Sequence, residues 1–347
     1  MACQSERTMR YSCLMDLVRL TRELVDIESI TNNERSVGEY LLKYLRGLSY
    51  NVEEMPVEEN RFNVYATVNG RQPTLVFSTH MDTVPPFISS SEDDANIYGR
   101  GSCDAKGIIA AQIAAAERLR NSGAQVGLLF LVGEERDSTG AHIANSQPRG
   151  AKYMINGEPT ENQIALASKG TLRVDLIASG KMAHSAYPHL GESAIEKLIE
   201  ALHRLIAMPL PTNPEIGPTT LNIGVIEGGR APNVIPDYAK AQLLYRLVGP
   251  TEQLRKDILG IVGDLAKAEF RLEIPYMKFK TIPNLATMVA AFTTDIPALT
   301  NWGEPFLLGP GSIHVAHTTG EYISKKQLHE AVDLYVRAAE YLLRCSN

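Results

Sequence analysis

Apolar side chains recur at helical spacing in LMDLVRLTRELVDI (14–27) and again over 34–46, which predicts two amphipathic helices. Runs of strand character follow, FNVYATV at 62–68 and TLVFST at 74–79. AKGIIAAQIAAAERLR (105–120) predicts a longer helix, ended by Asn121-Ser122-Gly123. VGLLFLV (126–132) is apolar throughout, the pattern of a strand buried on both faces. AHIANS just after it predicts a short helix and KYMIN (152–156) a short strand. Strands alternating with helices imply an α/β fold with a mostly parallel sheet covered on both faces.

After Glu158 the texture changes. TLRVDLIASG (171–180) alternates like a half-exposed strand, and SAIEKLIEALHRLIA (193–207) has the stripe of an amphipathic helix. Beyond the Pro-rich link PLPTNPEIGP, strands are expected in TLNIGVIEGG (220–229) and YAKAQLLYRLV (238–248), then a helix over TEQLRKDILGIVGDLAKA. That order, β-α-β-β-α, predicts a small α+β unit of ferredoxin-like type. From about 281 the α/β texture returns and closes on a long helix at 325–344. With 347 residues the chain has room for two domains. The expectation is one domain of residues 1–168 and 281–347, with a second, 169–280, inserted into it.

Composition narrows the class. A hydrophobic content of 44% with 21% charged residues describes a globular chain rather than a disordered one. The formal net charge of -6 argues against a nucleic-acid partner, which calls for a basic face. Cys3, Cys13, Cys103 and Cys345 lie far apart, so neither a disulfide framework nor a thiolate zinc site is expected. The N-terminal segment is charged and lacks the apolar core of a signal peptide. The longest apolar stretch is too short to span a bilayer, so no membrane partner and a cytoplasmic location are expected.

The chemistry lies just past the expected strands. His80 follows TLVFST, and Asp104 immediately precedes the helix at 105. Glu134-Glu135 follow VGLLFLV, Glu158 follows KYMIN, and His317 precedes the last helix. In open α/β sheets, sites form in the crevice outside the carboxyl ends of the strands. Two imidazoles and three carboxylates make an N/O donor set suited to zinc, cobalt or manganese. Three carboxylates against two divalent cations leave one positive charge, which a bridging hydroxide would cancel; such cations sit roughly 3.5–4 Å apart. Neighbouring side chains in extended backbone point different ways. Glu135 is therefore assigned to the metal and Glu134 to the water, as general base and then proton donor. Asp82, two residues beyond His80, is placed to fix the tautomer and aim of that imidazole.

Seven segments carry a resemblance to the M20 metallopeptidase family, the branch of acetylornithine deacetylases, succinyl-diaminopimelate desuccinylases, aminoacylases and glutamate carboxypeptidases. They are STHMDTVP, YGRGSCDAKGI, GEE at 133–135, NGEPT at 156–160, HSAYPHLGESAI at 184–195, GGRAPNVIP at 228–236, and GPGSIHVAHTTGEYI at 309–323. The resemblance implies a zinc-exopeptidase-like catalytic domain, with the inserted domain as lid and dimer surface. It implies His80, Asp104, Glu135, Glu158 and His317 as ligands of two divalent metal ions, zinc before cobalt or manganese. Asp104 would bridge them, followed by a cis peptide, with Glu134 as the base. His184 resembles the histidine that reaches the scissile carbonyl and stabilises the oxyanion. Arg246 resembles the arginine that grips a substrate carboxylate, with Asn233 assisting. Tyr245, Ser312 and Gly320 depart from the family pattern, where acidic or amide residues are more usual. The function so implied is hydrolysis of the amide of a small N-acyl amino acid by a homodimer. A dipeptidase or carboxypeptidase on the same scaffold is the alternative, and a non-enzymatic binding protein a remote one.

Overall fold

The computed structural model describes residues 16–68 and 70–346, so Cys3, Cys13 and the start of the first expected helix lie outside the described residues. Helix α1 (Leu17–Val25) begins at Asp16, whose side chain accepts the Arg19 N–H and so satisfies one free donor of the first turn. Helix α2 (Arg35–Gly47) leads into the hairpin of β1 (Tyr50–Glu58) and β2 (Arg61–Val68). Then β3 (Leu75–His80), α3 (Lys106–Asn121), β4 (Val126–Leu131), α4 (Thr139–Ser146) and β5 (Tyr153–Asn156) alternate. Next come β6 (Gly170–Ser179), α5 (Ala194–Ala207), β7 (Thr220–Gly228), β8 (Tyr238–Leu247), α6 (Glu252–Val262) and β9 (Lys267–Ile274). The last main elements are β10 (Glu304–Leu307) and α7 (Lys325–Arg344). Among the described residues no helix is long and apolar enough to cross a membrane.

Two compact units result. The first comprises Met1–Ala165, Phe279–Met288 and Thr294–Asn347, the second Leu166–Lys278 and Val289–Thr293. In the first, six strands form one sheet in the order β1-β2-β4-β3-β5-β10. The β4–β3, β3–β5 and β5–β10 pairs are parallel, and β1–β2 and β2–β4 antiparallel, so the sheet is mostly parallel. The register decides where the chemistry falls. His80 lies opposite Leu131, Ser78 opposite Asn156, and Leu307 opposite Asn156, so β3, β4, β5 and β10 end along one edge.

Helix α3 is buried almost all round, which is what its Ala-rich sequence allows. Phe77 of β3 meets Tyr335 of α7 edge to face at 5.2 Å between ring centroids, a contact worth about 0.5–1.5 kcal/mol beyond the area buried. Gly157 fits where no side chain would. A Cβ there would lie 2.4 Å from Ile108 Cγ2 and 2.5 Å from Gln112 Nε2, so β5 comes down against α3 just before Glu158. Strand β1 was not foreseen. It is an antiparallel edge strand with Asn51, Glu53 and Glu54 exposed, too polar for the apolar runs used to find strands.

The second unit has an antiparallel sheet in the order β7-β8-β6-β9. Leu172, Val174 and Leu176 of β6 and Leu243 of β8 pack with Leu198, Leu202 and Leu205 of α5 and Ile258 of α6. Ser193 caps α5 by accepting the Glu196 N–H, within the S-x-x-E pattern of a capping box. Two expectations need correction. The helix expected over 251–268 stops at Val262, where Gly263 takes φ +48°, and 267–274 is a fourth strand paired with β6. Ala268, Phe270, Leu272 and Ile274 alternate with charged residues there, a strand period that the helical reading overran. Strand β6 is more buried than half-exposed, because strands flank it on both sides.

Candidate metal centre

Four loops leave the shared strand edge of the first unit. His80 ends β3 and is buried, with Nδ1 3.0 Å from the Asp82 carbonyl oxygen and 3.5 Å from Asp82 Oδ1. Both neighbours of Nδ1 are acceptors, so that nitrogen carries a proton and Nε2 is the ring atom turned outward. Nε2 faces Asp104 Oδ1 at 2.9 Å. On the other side, His317 Nε2 lies 3.4 Å from Asp104 Oδ2 and 3.0 Å from Glu135 Oε1. His80, Asp104 and Glu158 thus offer one set of donor atoms within 4.8 Å of one another, and Asp104, Glu135 and His317 a second. Asp104 belongs to both, one oxygen to each. Its peptide bond to Ala105 is cis.

The donors suit divalent cations by an observation independent of their spacing. Glu158 Oε1 is buried and has no hydrogen-bond partner among the described residues. A bare carboxylate oxygen is costly inside a protein unless a charge or donor meets it. Electrostatics agree. Burial pushes the Glu158 carboxyl well above its ordinary range, and Asp104 beside it adds to that, His80 opposing. Burial and the Glu158 charge do the same to Glu134. Asp104 goes the other way. Burial works to raise it, but hydrogen bonds from His317 and His80 hold it below the usual carboxylate range. His317 is pushed up to about 10 by those contacts with Asp104 and Glu135. Carboxylates that cluster beyond what two imidazoles can neutralise are matched to a site for added positive charge.

Glu134 falls in neither donor set among the described residues. Its backbone N–H donates to Asp82 Oδ1 at 3.1 Å, and the Glu135 N–H donates to Asp82 Oδ2 at 3.2 Å. Asp82 therefore stands behind His80 and also grips the turn bearing both glutamates. Burial would raise the Asp82 carboxyl, but His80 and Thr31 hold it down. Sequence reasoning missed Thr31, whose hydroxyl donates to Asp82 Oδ2 at 2.8 Å. It also missed two residues of β2. Asn63 accepts the Val132 N–H and donates to the Gly140 carbonyl, fixing the turn at both ends. Arg61 makes a buried bidentate pair with Glu34 at 2.9 and 2.7 Å, and a Cβ on Gly133 would lie 2.9 Å from its Nη2. Gly133 adopts φ +80°, so the turn is accessible only to a residue without a side chain. The one signal for Arg61 and Asn63 was their position on a strand otherwise apolar.

Of the remaining candidates, His184, Asn233, Arg246 and Tyr245 belong to the second unit. His184 pairs with Val234 across a two-residue ladder, and the Ser185 N–H donates to the Asn233 carbonyl, so the structure does bring His184 and Asn233 together. The Ala186 N–H donates to His184 Nδ1 at 3.1 Å, which leaves the proton of the neutral ring on Nε2. Arg246, half-buried on β8, donates to Thr171 Oγ1 at 2.9 Å and has no carboxylate partner among the described residues. Tyr245 points to the opposite face and is fully buried in that unit's core. Ser312 donates to Glu161 Oε1 at 2.6 Å, and Cys103 is a buried packing residue.

Comparison with known proteins gives the family of the chain. The pattern of peptidase family M20/M25/M40 matches residues 76–341. A peptidase M20 domain-containing protein of Schizosaccharomyces pombe is 40% identical over 342 residues, covering 95% of this chain and 85% of that protein. A probable carboxypeptidase of Aspergillus terreus is 36% identical, covering 92% of this chain and 84% of its own. In structure, a tripeptidase from Staphylococcus aureus superposes with a TM-score of 0.81 at 24% identity, over 94% of this chain and 98% of that one. With a matched pattern over most of its length and a relative so similar from end to end, this chain belongs to peptidase family M20, enzymes that hydrolyse amide and peptide bonds with the help of metal ions.

Proposed function

We propose that the chain is a dinuclear-metal hydrolase that releases an amino acid bearing a free carboxylate from the amide that blocks its amino group. The observation that carries this reading is the division of the Asp104 carboxylate, Oδ1 toward His80 and Oδ2 toward His317. His80 and Glu158 would hold one cation, Glu135 and His317 the other, and Asp104 both. Zinc is proposed for both positions, with cobalt or manganese as substitutes. When bound, such a pair polarises the amide carbonyl and acidifies water. Glu134 takes the proton of the attacking water and delivers it to the leaving nitrogen. Asp82 keeps the Glu134 turn and the His80 ring in place. His184, with its proton on Nε2, donates to the carbonyl oxygen as charge develops there.

Arg246 is the residue proposed to recognise the product side. A half-buried guanidinium without a carboxylate partner among the described residues offers free N–H donors to one, and its planar fork suits a bidentate grip. Simple deacylation and carboxypeptidase cleavage share this leaving group and differ only on the acyl side. The name of the Aspergillus terreus relative favours a peptidyl acyl group over acetyl or succinyl. A panel of N-acetyl amino acids, N-succinyl amino acids, dipeptides and their C-terminal amides tests both points. Free-carboxylate substrates should be cleaved and the amides spared. Arg246→Ala should raise KM by about 10–100-fold for the former, the scale of one charged hydrogen-bonded contact. Equal cleavage of the amidated substrates would remove Arg246 from the mechanism.

A homodimer is also proposed. Strand β7 is an edge of its sheet and exposes Val225 and Ile226, and α5 exposes Ile199 and Ile206. An unprotected edge with apolar side chains is a template for pairing. Light scattering behind a sizing column should give twice the chain mass; a monomer at micromolar concentration would count against the proposal.

A further inference from the structure

A second buried carboxylate stands behind Asp104, and the mechanism above gives it no task. Glu321 Oε1 accepts the backbone N–H groups of Gly101 at 2.9 Å, Cys103 at 3.2 Å and Asp104 at 3.1 Å. Its Oε2 pairs with Arg100 Nη1, the two side chains being 0% and 2% exposed. Its own carbonyl accepts the Gly99 N–H at 3.1 Å. One residue thus gathers the loop that ends in the shared donor. The loop has little freedom to settle elsewhere. A Cβ on Gly101 would lie 2.8 Å from Thr83 Cγ2, and one on Gly311 2.5 Å from Cys103 Sγ.

Glu321 also stands four residues after His317. The segment that brings an imidazole to Asp104 Oδ2 therefore holds the backbone of Asp104 as well. A buried ion pair is a poor source of stability compared with apolar residues of the same shape. Here the anion has another use, since its oxygen supplies an acceptor where three N–H groups converge.

We propose that Glu321 is a positioning residue that fixes the two directions of the Asp104 carboxylate and so couples the binding of the second cation to the first. This rests on the dinuclear reading above. Partners behind a ligand of this kind typically change metal affinity by about 10–100-fold.

The test compares two double variants that both remove the buried charge pair. Arg100→Met with Glu321→Gln keeps an acceptor oxygen, and Arg100→Met with Glu321→Leu does not. Each protein is stripped of metal, titrated with cobalt(II) and followed by absorption and by bound metal per chain, with melting temperature of the stripped form as control. The Gln variant should load two cobalt ions like the parent. The Leu variant should bind the second about 10–100-fold more weakly at a similar melting temperature. Equal loading by both variants, or equal loss in both, would overturn the role. Should the Leu variant fail to fold, Glu321→Asp takes its place; its carboxylate falls one methylene short, and undiminished affinity for the second cobalt would likewise overturn it. A parent protein that never binds more than one cobalt would bring down the dinuclear reading, and this inference with it.

Discussion

Glu134→Gln should leave two metal ions bound per chain and lower kcat by about 10²–10⁴-fold, the contribution of a positioned general base. The expectation follows from the Glu134-Glu135 turn. Both backbone N–H groups are pinned to Asp82, so the two side chains diverge from a fixed base. Glu135 meets His317 and joins a donor set, whereas Glu134 joins neither. A glutamine keeps the shape and loses only the ability to take a proton. Metal analysis and steady-state kinetics on the same preparation decide the matter. Loss of a metal ion, or turnover within a factor of about ten of the parent, would reverse the division of labour between the two glutamates.

Asp104→Ala should have the larger effect, emptying the centre and lowering turnover by at least about 10⁴-fold, the scale seen when the shared member of a catalytic unit is removed. Its carboxylate is the one group common to both donor sets. Glu158→Gln and His317→Gln each touch a single set and should retain about one ion per chain. Counting bound metal across the three variants separates a shared ligand from two independent sites. Retention of a full ion by Asp104→Ala would show that the sets do not depend on it.

How far the residues alone foretold this arrangement differs from place to place. The alternation of apolar runs with helical stripes identified β2, β3, β4 and β5, and parallel pairing among β3, β4 and β5 then required the ends of those three to share an edge. That placed His80, Glu134, Glu135 and Glu158 near one another without any contact being known. Arg61, Thr31 and Glu321 escaped notice for a common reason. Each acts through a hydrogen bond to a residue remote in the chain, as in the pairs Thr31–Asp82 and Glu321–Asp104. No local period or spacing encodes such a partner. Strand β9 was lost differently, because its alternation begins just where a helical pattern ends. Strand β1 was lost because an edge strand needs little apolar surface.

The path of the chain through its two units has a consequence for biosynthesis. The second unit has all four strands of its main sheet by Ile274, while the first still lacks β10, His317 and α7 with Tyr335. Domains fold as units while the ribosome extends the chain. The inserted unit is therefore finished before the first, whose second donor set is complete only once His317 has been added to the growing chain.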